Sequence, residues 1–315
     1  MSAQMNAARL DAAGTPVFGT IDRPTAELPG VPVEVSLAGV NPIDIFLATQ
    51  PGAGFPRVPG SEGVGLANGA RHYFSAVPGR FGSMAEASLA QPERLYPVPD
   101  GVSDETAITL GIGGLTAYLS LTDSAALQKG ETVLVLGASG VVGALAVQLA
   151  KHLGAGRVIA AARNADRLAE LAGLGADETV RILDEDTPQS LAERFRAASG
   201  GKLDVIIDPV WSVPAVAALM AATRGGRLVQ LGHSAGLSVP LAPAFMRGTG
   251  AAILGYSSSI AAPEVRRAAY ASLCDHALAG DLRQATEIVA LSSVAEAWDR
   301  QKASPHVKLC LDVRR

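Results

Sequence analysis

One run dominates what this sequence can fold into: TVLVLGASGVVGALAVQLAKHLG, from Thr132 to Gly154. Apolar residues suited to a buried strand end at Gly137, and apolar residues at helical spacing begin near Val141. The spacing predicts a strand, a tight turn and a helix running to about Leu153. Gly137, Gly140 and Gly143 recur at every third position through the turn. Glycines there permit a sharp reversal, a close approach of another group to the main chain, and close packing of helix on strand. The first N–H groups of the helix have no partner within it and stand at its positive end, so the turn favours an anion. With Ala138 and Ser139 between the first two glycines, the pattern departs from the usual G-x-G-x-x-G. A dinucleotide diphosphate held by Gly137, Ala138, Ser139, Gly140, Val141, Val142 and Gly143 is the functional reading; a purely structural turn is the alternative.

The surroundings favour the first reading. After Lys129 and Gly130 the chain alternates strand and helix patterns: strands at 132–137, 157–162, 178–183, 203–208, 226–232 and 251–256, with helices at 141–153, 166–174, 189–198 and 214–223 between them. Such alternation specifies a parallel sheet with helices on both faces. The first hundred residues, rich in Gly, Pro and short apolar runs, read instead as strands and loops. A helical pattern from Asp104 to Leu110 pauses at GIGG and resumes through LTAYLSL, as a connector would. Helical stretches at 263–279 and 294–303 precede a last strand, VKLCLDV, which breaks the alternation and is expected to return to the first domain.

Dinucleotide folds that prefer NAD place an acid at the end of the second strand, on the ribose 2′-hydroxyl. This chain has Arg163 there, Arg167 one helical turn on, and Asn164 as a natural N-cap between them. The pair suits a 2′-phosphate, so NADP(H) is the expected cofactor. Solvated surface arginines are the plainer alternative.

Several function classes are excluded or demoted by composition. A net charge of −4 with scattered basic residues gives no electrostatic case for nucleic acid. No apolar stretch reaches the about 18 residues that a membrane span needs, and the first residues lack a secretory pattern, so a cytoplasmic protein with a small-molecule partner is expected. Two cysteines, Cys274 and Cys310, cannot form a four-thiolate zinc lobe. The histidines show no metal-site spacing, so no metal site is expected.

Further segments carry a family resemblance: VNPIDIFLA (Val40–Ala48), FPRVPGSEGVG (Phe55–Gly65), GGLTAYLSL (Gly113–Leu121), GASGVVG (Gly137–Gly143) and RLVQLGHSAG (Arg227–Gly236). In order and spacing these resemble the zinc-free quinone oxidoreductase branch of the medium-chain dehydrogenase/reductase superfamily. The resemblance implies an α/β chain with a Rossmann doubly wound parallel sheet at 113–256 and a mainly β GroES-like catalytic domain at 1–112 and 257–315. It implies NADPH-dependent hydride transfer to a quinone or enone. Zinc-dependent relatives carry Cys among the positions of Asn41 to Asp44 and His at Ser61, and this chain has neither. The stretch between Gly65 and Tyr96 is shorter than in the family.

By resemblance, Asn41 lies near the substrate carbonyl or nicotinamide ribose, and Thr116 and Tyr118 beneath or beside the ring. Gly232, His233 and Ser234 lie against the nicotinamide or its ribose, with Tyr256 on the same wall. Asp44 is structural or orients its neighbours. The edge strand at 251–256 implies a homodimer. Three alternatives stay open. One is a zinc-independent alcohol dehydrogenase or carbonyl reductase, and another a non-catalytic NADPH-binding protein. The third is a serine hydrolase using GHSAG, Gly232–Gly236, although the prolines of LSVPLAP oppose the helix that must follow a nucleophile elbow.

Overall fold

The computed structural model describes residues 3–25, 27–50 and 54–315. Its strands are β1 (Gln4–Arg9), β2 (Val17–Asp22), β3 (Val31–Val40), β4 (Glu62–Ala67), β5 (Ala70–Ala76), β6 (Ala87–Pro97), β7 (Thr132–Leu136), β8 (Arg157–Ala162), β9 (Glu178–Arg181), β10 (Val205–Asp208), β11 (Arg227–Gln230), β12 (Ala252–Gly255), β13 (Thr286–Ala290) and β14 (Lys308–Asp312). Two compact units emerge: Met1–Ile112 with Tyr270–Leu278 and Gln284–Arg315, and Gly113–Ala269 with Ala279–Arg283.

In the first unit the sheet order is β13-β14-β3-β4-β5-β6, and β3 also pairs with β6. The sheet therefore curls on itself, helped by a register break between Val35 and Leu37 on β3, since such irregularities bend a strand. β14 lies between β13, which it pairs in parallel, and β3, which it pairs antiparallel. Met5, Phe74, Met84, Trp298, Leu309 and Leu311 are buried in the core.

The second unit is a six-stranded sheet in the order β12-β11-β10-β7-β8-β9, and every pairing in it is parallel. All residues of β7 and β10 are buried, as both-face coverage requires. Chain progression reverses direction across the β7–β10 neighbourhood, the switch point where open α/β sheets bind ligands at the carboxyl ends of their strands.

The pause at GIGG is a sharp kink. The helix Asp104–Thr109, capped by the Ser103 hydroxyl accepting the Thr106 N–H at 3.2 Å, breaks over Leu110–Gly114 and resumes at Leu115–Leu119. Gly111 adopts ψ −116° inside the break. A Cβ there would lie 2.1 Å from the Tyr73 ring and 2.5 Å from the Glu62 carboxylate, so only glycine lets these groups meet.

Residues 257–269, expected with the first domain, cluster instead with the parallel sheet, as do Ala279–Arg283. The reason is local hydrogen bonding. The Ser258 hydroxyl lies 3.4 Å from that of Thr116 in the second unit, and buried Arg266 closes the segment on itself by donating to the carbonyls of Ser259 and Ala261. Gln148, on the helix Val141–His152, takes both backbone groups of Arg283, donating to its carbonyl at 2.9 Å and accepting its N–H at 2.7 Å. Among the described residues no helix is long and apolar enough to cross a membrane.

Candidate functional site

At the carboxyl edge of the parallel sheet the loops after β7, β10 and β11 converge. Gly137 turns the chain with φ +60°, and a Cβ on it would meet Val210 at 2.6 Å. Gly140 is the extended N-cap of the helix Val141–His152, and no side chain caps that terminus. A Cβ on Gly143 would sit 2.4 Å from the Gly137 carbonyl oxygen, so helix and turn touch through bare main chain. The first-turn amides have no partner within the helix, and Ser139 is buried beside them. The residues present thus form a cradle whose dimensions depend on missing side chains, which suits a diphosphate.

Next to it, Asp208 ends β10 with its carboxyl wholly buried. One oxygen accepts the N–H groups of Val210 at 3.0 Å and Trp211 at 2.7 Å, and the other has no partner. Burial pushes Asp208 up to about 6 against those two N–H groups. The turn it holds puts Trp211 and Ser212 at φ +63°, a region that costs a non-glycine residue about 1–3 kcal/mol.

At the end of β8, Arg163 is exposed, and the Asn164 side chain caps the helix Ala165–Ala172 by accepting the Arg167 N–H at 3.1 Å. Arg167 is ion-paired with Glu170, yet its Nε lies buried without a partner. Both arginines therefore stand at the strand end where a dinucleotide's adenosine ribose is held.

Past β11, Gly232 abuts the loop after β10: a Cβ on it would lie 2.9 Å from the Pro209 carbonyl. His233 and Ser234 are exposed, and the Ser234 hydroxyl reaches only the Pro209 carbonyl, at 3.4 Å. No helix follows at once; the next, Pro243–Thr249, starts nine residues after Ser234, so GHSAG lacks the strand–elbow–helix form that a hydrolase nucleophile needs. Past β12, the Tyr256 hydroxyl donates to Asp123 at 2.7 Å, and burial together with that carboxylate raises its pKa. Thr116 lies 3.4 Å from Ser258 through their hydroxyls, which brings it to the same edge. Tyr118 is half-buried, and its hydroxyl has no partner among the described residues.

The first unit holds a separate buried polar cluster. Lys308 pairs with Glu62, and their side chains are 3% and 0% exposed. Lys308 also donates to Asn41 Oδ1 at 2.6 Å. Glu62 accepts from the Tyr73 hydroxyl at 2.8 Å and the Ile112 N–H at 2.7 Å. Asp44 accepts from the Asn41 N–H at 2.8 Å and from the Ser61 N–H and hydroxyl at 2.9 and 2.6 Å. Burial lifts Asp44 to about 6, opposed by the Ser61 and Asn41 hydrogen bonds. Burial alone would lower Lys308, but the Glu62 charge outweighs it and holds the ammonium above its usual range. Asn41 itself is buried, with its amide donors directed to Glu62 at 3.0 Å and Asp44 at 3.2 Å. An amide has two N–H donors, so Asn41 has none left for a substrate carbonyl.

Sequence reasoning missed Glu62, Tyr73, Lys308 and Asp208. The pairing of Glu62 with Lys308 spans 246 residues and leaves no local trace. The acid ending LDVIID, Leu203–Asp208, was a readable signal for Asp208.

Comparison with known proteins gives a consistent result. The family pattern described as zinc-binding dehydrogenase matches residues 141–267. Prostaglandin reductase-3 of Bos taurus is 31% identical over 221 residues, 64% of this chain and 55% of that protein. Polyketide synthase GfsB of Streptomyces halstedii is 35% identical over 65% of this chain, which spans only 4% of that protein. Among solved structures, a mycobacterial quinone oxidoreductase superposes with a TM-score of 0.84 at 26% identity, covering 98% of this chain and 99% of that one. A mycobacterial structure complexed with NADPH aligns with the same score, identity and coverage.

Proposed function

Because this chain belongs to the quinone oxidoreductase-like branch of the medium-chain dehydrogenase/reductase superfamily, we propose that it is an NADPH-dependent reductase of quinones or α,β-unsaturated carbonyls that works without zinc. The observation that carries the reading is the cradle of Gly137–Gly143, in which helix and turn meet through the bare main chain of three glycines, with Arg163 and Arg167 at the neighbouring strand end.

When bound, the nicotinamide would supply hydride to an electron-poor acceptor. The chain's own residues do the rest. The amides at the start of the helix Val141–His152 hold the diphosphate, and Arg163 and Arg167 select the 2′-phosphate. Thr116, Tyr118, Gly232, His233 and Ser234 are assigned to the nicotinamide end, with the Tyr118 hydroxyl free to donate. Asn41 is assigned to the polar cluster of the first unit and not to substrate contact, since its donors are engaged there.

Donor chemistry supports the zinc-free reading. In the cluster around Asn41, Asp44, Ser61 and Glu62 the Lys308 ammonium already occupies the Glu62 carboxylate, and burial raises the pKa of the neighbouring Cys310 thiol, whereas zinc takes thiolate, imidazole and carboxylate ligands. An acceptor that needs no metal must already be electron-poor, as quinones and enones are. β12 ends the sheet with Ile253 and Leu254 half-buried, which supports a homodimer formed at that edge. Free buried Cys274 and Cys310 fit a reducing, cytoplasmic setting.

The test is a titration with NADPH and NADH, followed by loss of the reduced-nicotinamide absorbance with quinones, enones and simple alcohols or ketones. NADPH should bind more tightly and be oxidised by quinones or enones. If neither nucleotide binds, or if only an alcohol–ketone pair turns over, the reading fails.

A further inference from the structure

We propose that Arg181, on the strand beyond the two arginines already considered, is a third coenzyme-discriminating residue whose guanidinium grips the 2′-phosphate together with Arg163 and Arg167. The proposal rests on the NADPH reading above and extends it to a position that local sequence does not connect to the phosphate.

Sheet register carries it. β8 and β9 pair in parallel with Ala162 opposite Arg181, so the residue after Ala162, Arg163, stands beside Arg181 at the carboxyl edge. Arg181 Nε donates to the Arg163 carbonyl at 3.4 Å, which leaves the two terminal nitrogens of the fork unused. The backbone under Arg181 is braced in turn: Arg194 donates to the Arg181 carbonyl at 2.6 Å and is itself tied to Asp186. Arg163 and Arg181 are both exposed, and neither has an ion-pair partner among the described residues.

The third cation supplies an independent sign of a missing anion. Arg167 is paired with Glu170 through a terminal nitrogen, yet its Nε is buried with no acceptor. A buried donor without a partner is rare and calls for a ligand. Three guanidiniums at adjoining strand ends repel one another unless an anion joins them, and planar forks match phosphate oxygens two at a time. The adenosine ribose of a dinucleotide lies at the end of the second strand, here β8. A phosphate on its 2′-oxygen would therefore meet Arg163 from β8, Arg167 from the following helix and Arg181 from β9.

The experiment is calorimetric titration of the whole protein with NADPH and with NADH, for the wild type, Arg181→Ala, Arg181→Lys and Arg163→Ala. Circular dichroism checks that each surface variant is folded. Arg181→Ala should weaken NADPH binding by about tenfold or more while NADH binding changes by less than about twofold. Arg181→Lys should recover only part of the loss, because an ammonium cannot make the forked contact. If Arg181→Ala keeps the wild-type ratio of NADPH to NADH affinity while Arg163→Ala lowers it, the Arg181 assignment falls and the NADPH reading stands. If the wild type binds the two nucleotides equally, or binds neither, the underlying reading falls and takes the assignment with it.

Discussion

A hydrogen atom in place of a methyl group at Gly111 is what allows Tyr73, Glu62 and the Ile112 N–H to share one point in the first unit. The lone glycine pause was legible as a break in a helical pattern; its purpose was not, because the groups it admits come from strands 38 and 49 residues earlier. Asn41 shows the same limit. Its position in VNPIDIFLA was readable, but only the fold reveals that its donors end on Glu62 and Asp44.

Asp208 gives the fold a measurable pH signature. Its folded-state pKa, raised from 3.8 to about 6 by burial, means that the folded protein holds this proton more tightly than the unfolded chain. The resulting stability is fully present below about pH 4 and is lost as pH rises through about 6. The stability of the wild type relative to Asp208→Asn should therefore fall by about 3 kcal/mol across that window. Asp44 titrates in the same range, but it does so in both proteins and cancels. Urea unfolding at a series of pH values measures the difference, and a flat profile contradicts the assigned proton.

At the scale of elements, what was legible was what is local. Strand, turn and helix at Thr132–Leu153 are contiguous, and hydrophobic periodicity with three glycines specifies them directly. The parallel alternation was legible for the same reason, and the Rossmann sheet and GroES-like unit are those of the quinone oxidoreductase relatives. Two of the elements that local pattern does not announce have plain reasons. Pro243 belongs to a stretch whose prolines oppose a helix directly after GHSAG, yet it occupies the first turn of Pro243–Thr249, where proline's missing N–H costs nothing. β13 is a five-residue edge strand, TEIVA, with mixed exposure, too short for its period to stand out. The glycine turn can be tested by a single substitution. Gly143→Ala would place a methyl carbon 2.4 Å from the Gly137 carbonyl oxygen, forcing the helix away from the turn. Nucleotide affinity should drop by about tenfold or more, with a stability loss of about 1–3 kcal/mol. Calorimetry and urea unfolding read the two effects, and unchanged affinity would show that the cradle does not hold the nucleotide.

For the molecule as a whole, each unit carries one tryptophan: Trp298 is buried in the first and Trp211 half-buried in the second. Trp298→Phe and Trp211→Phe thus make each unit's unfolding visible by fluorescence. NADPH at about one hundred times its dissociation constant should stabilise the unit reported by Trp211 by about 2.7 kcal/mol. A Trp211 transition that ignores the nucleotide would place its binding elsewhere.

The position of β14 has a consequence for how such a chain is born. Its residues 308–312 are wedged between β13 and β3, and they deliver the cation that neutralises Glu62. A ribosome emits residues at about 5–20 per second, amino-terminal portion first, so the opening hundred residues must wait for their partner while more than two hundred others are translated. The parallel sheet encoded in between, whose strands all lie from Thr132 to Gly255, can close in the meantime, so the part made first is the part finished last.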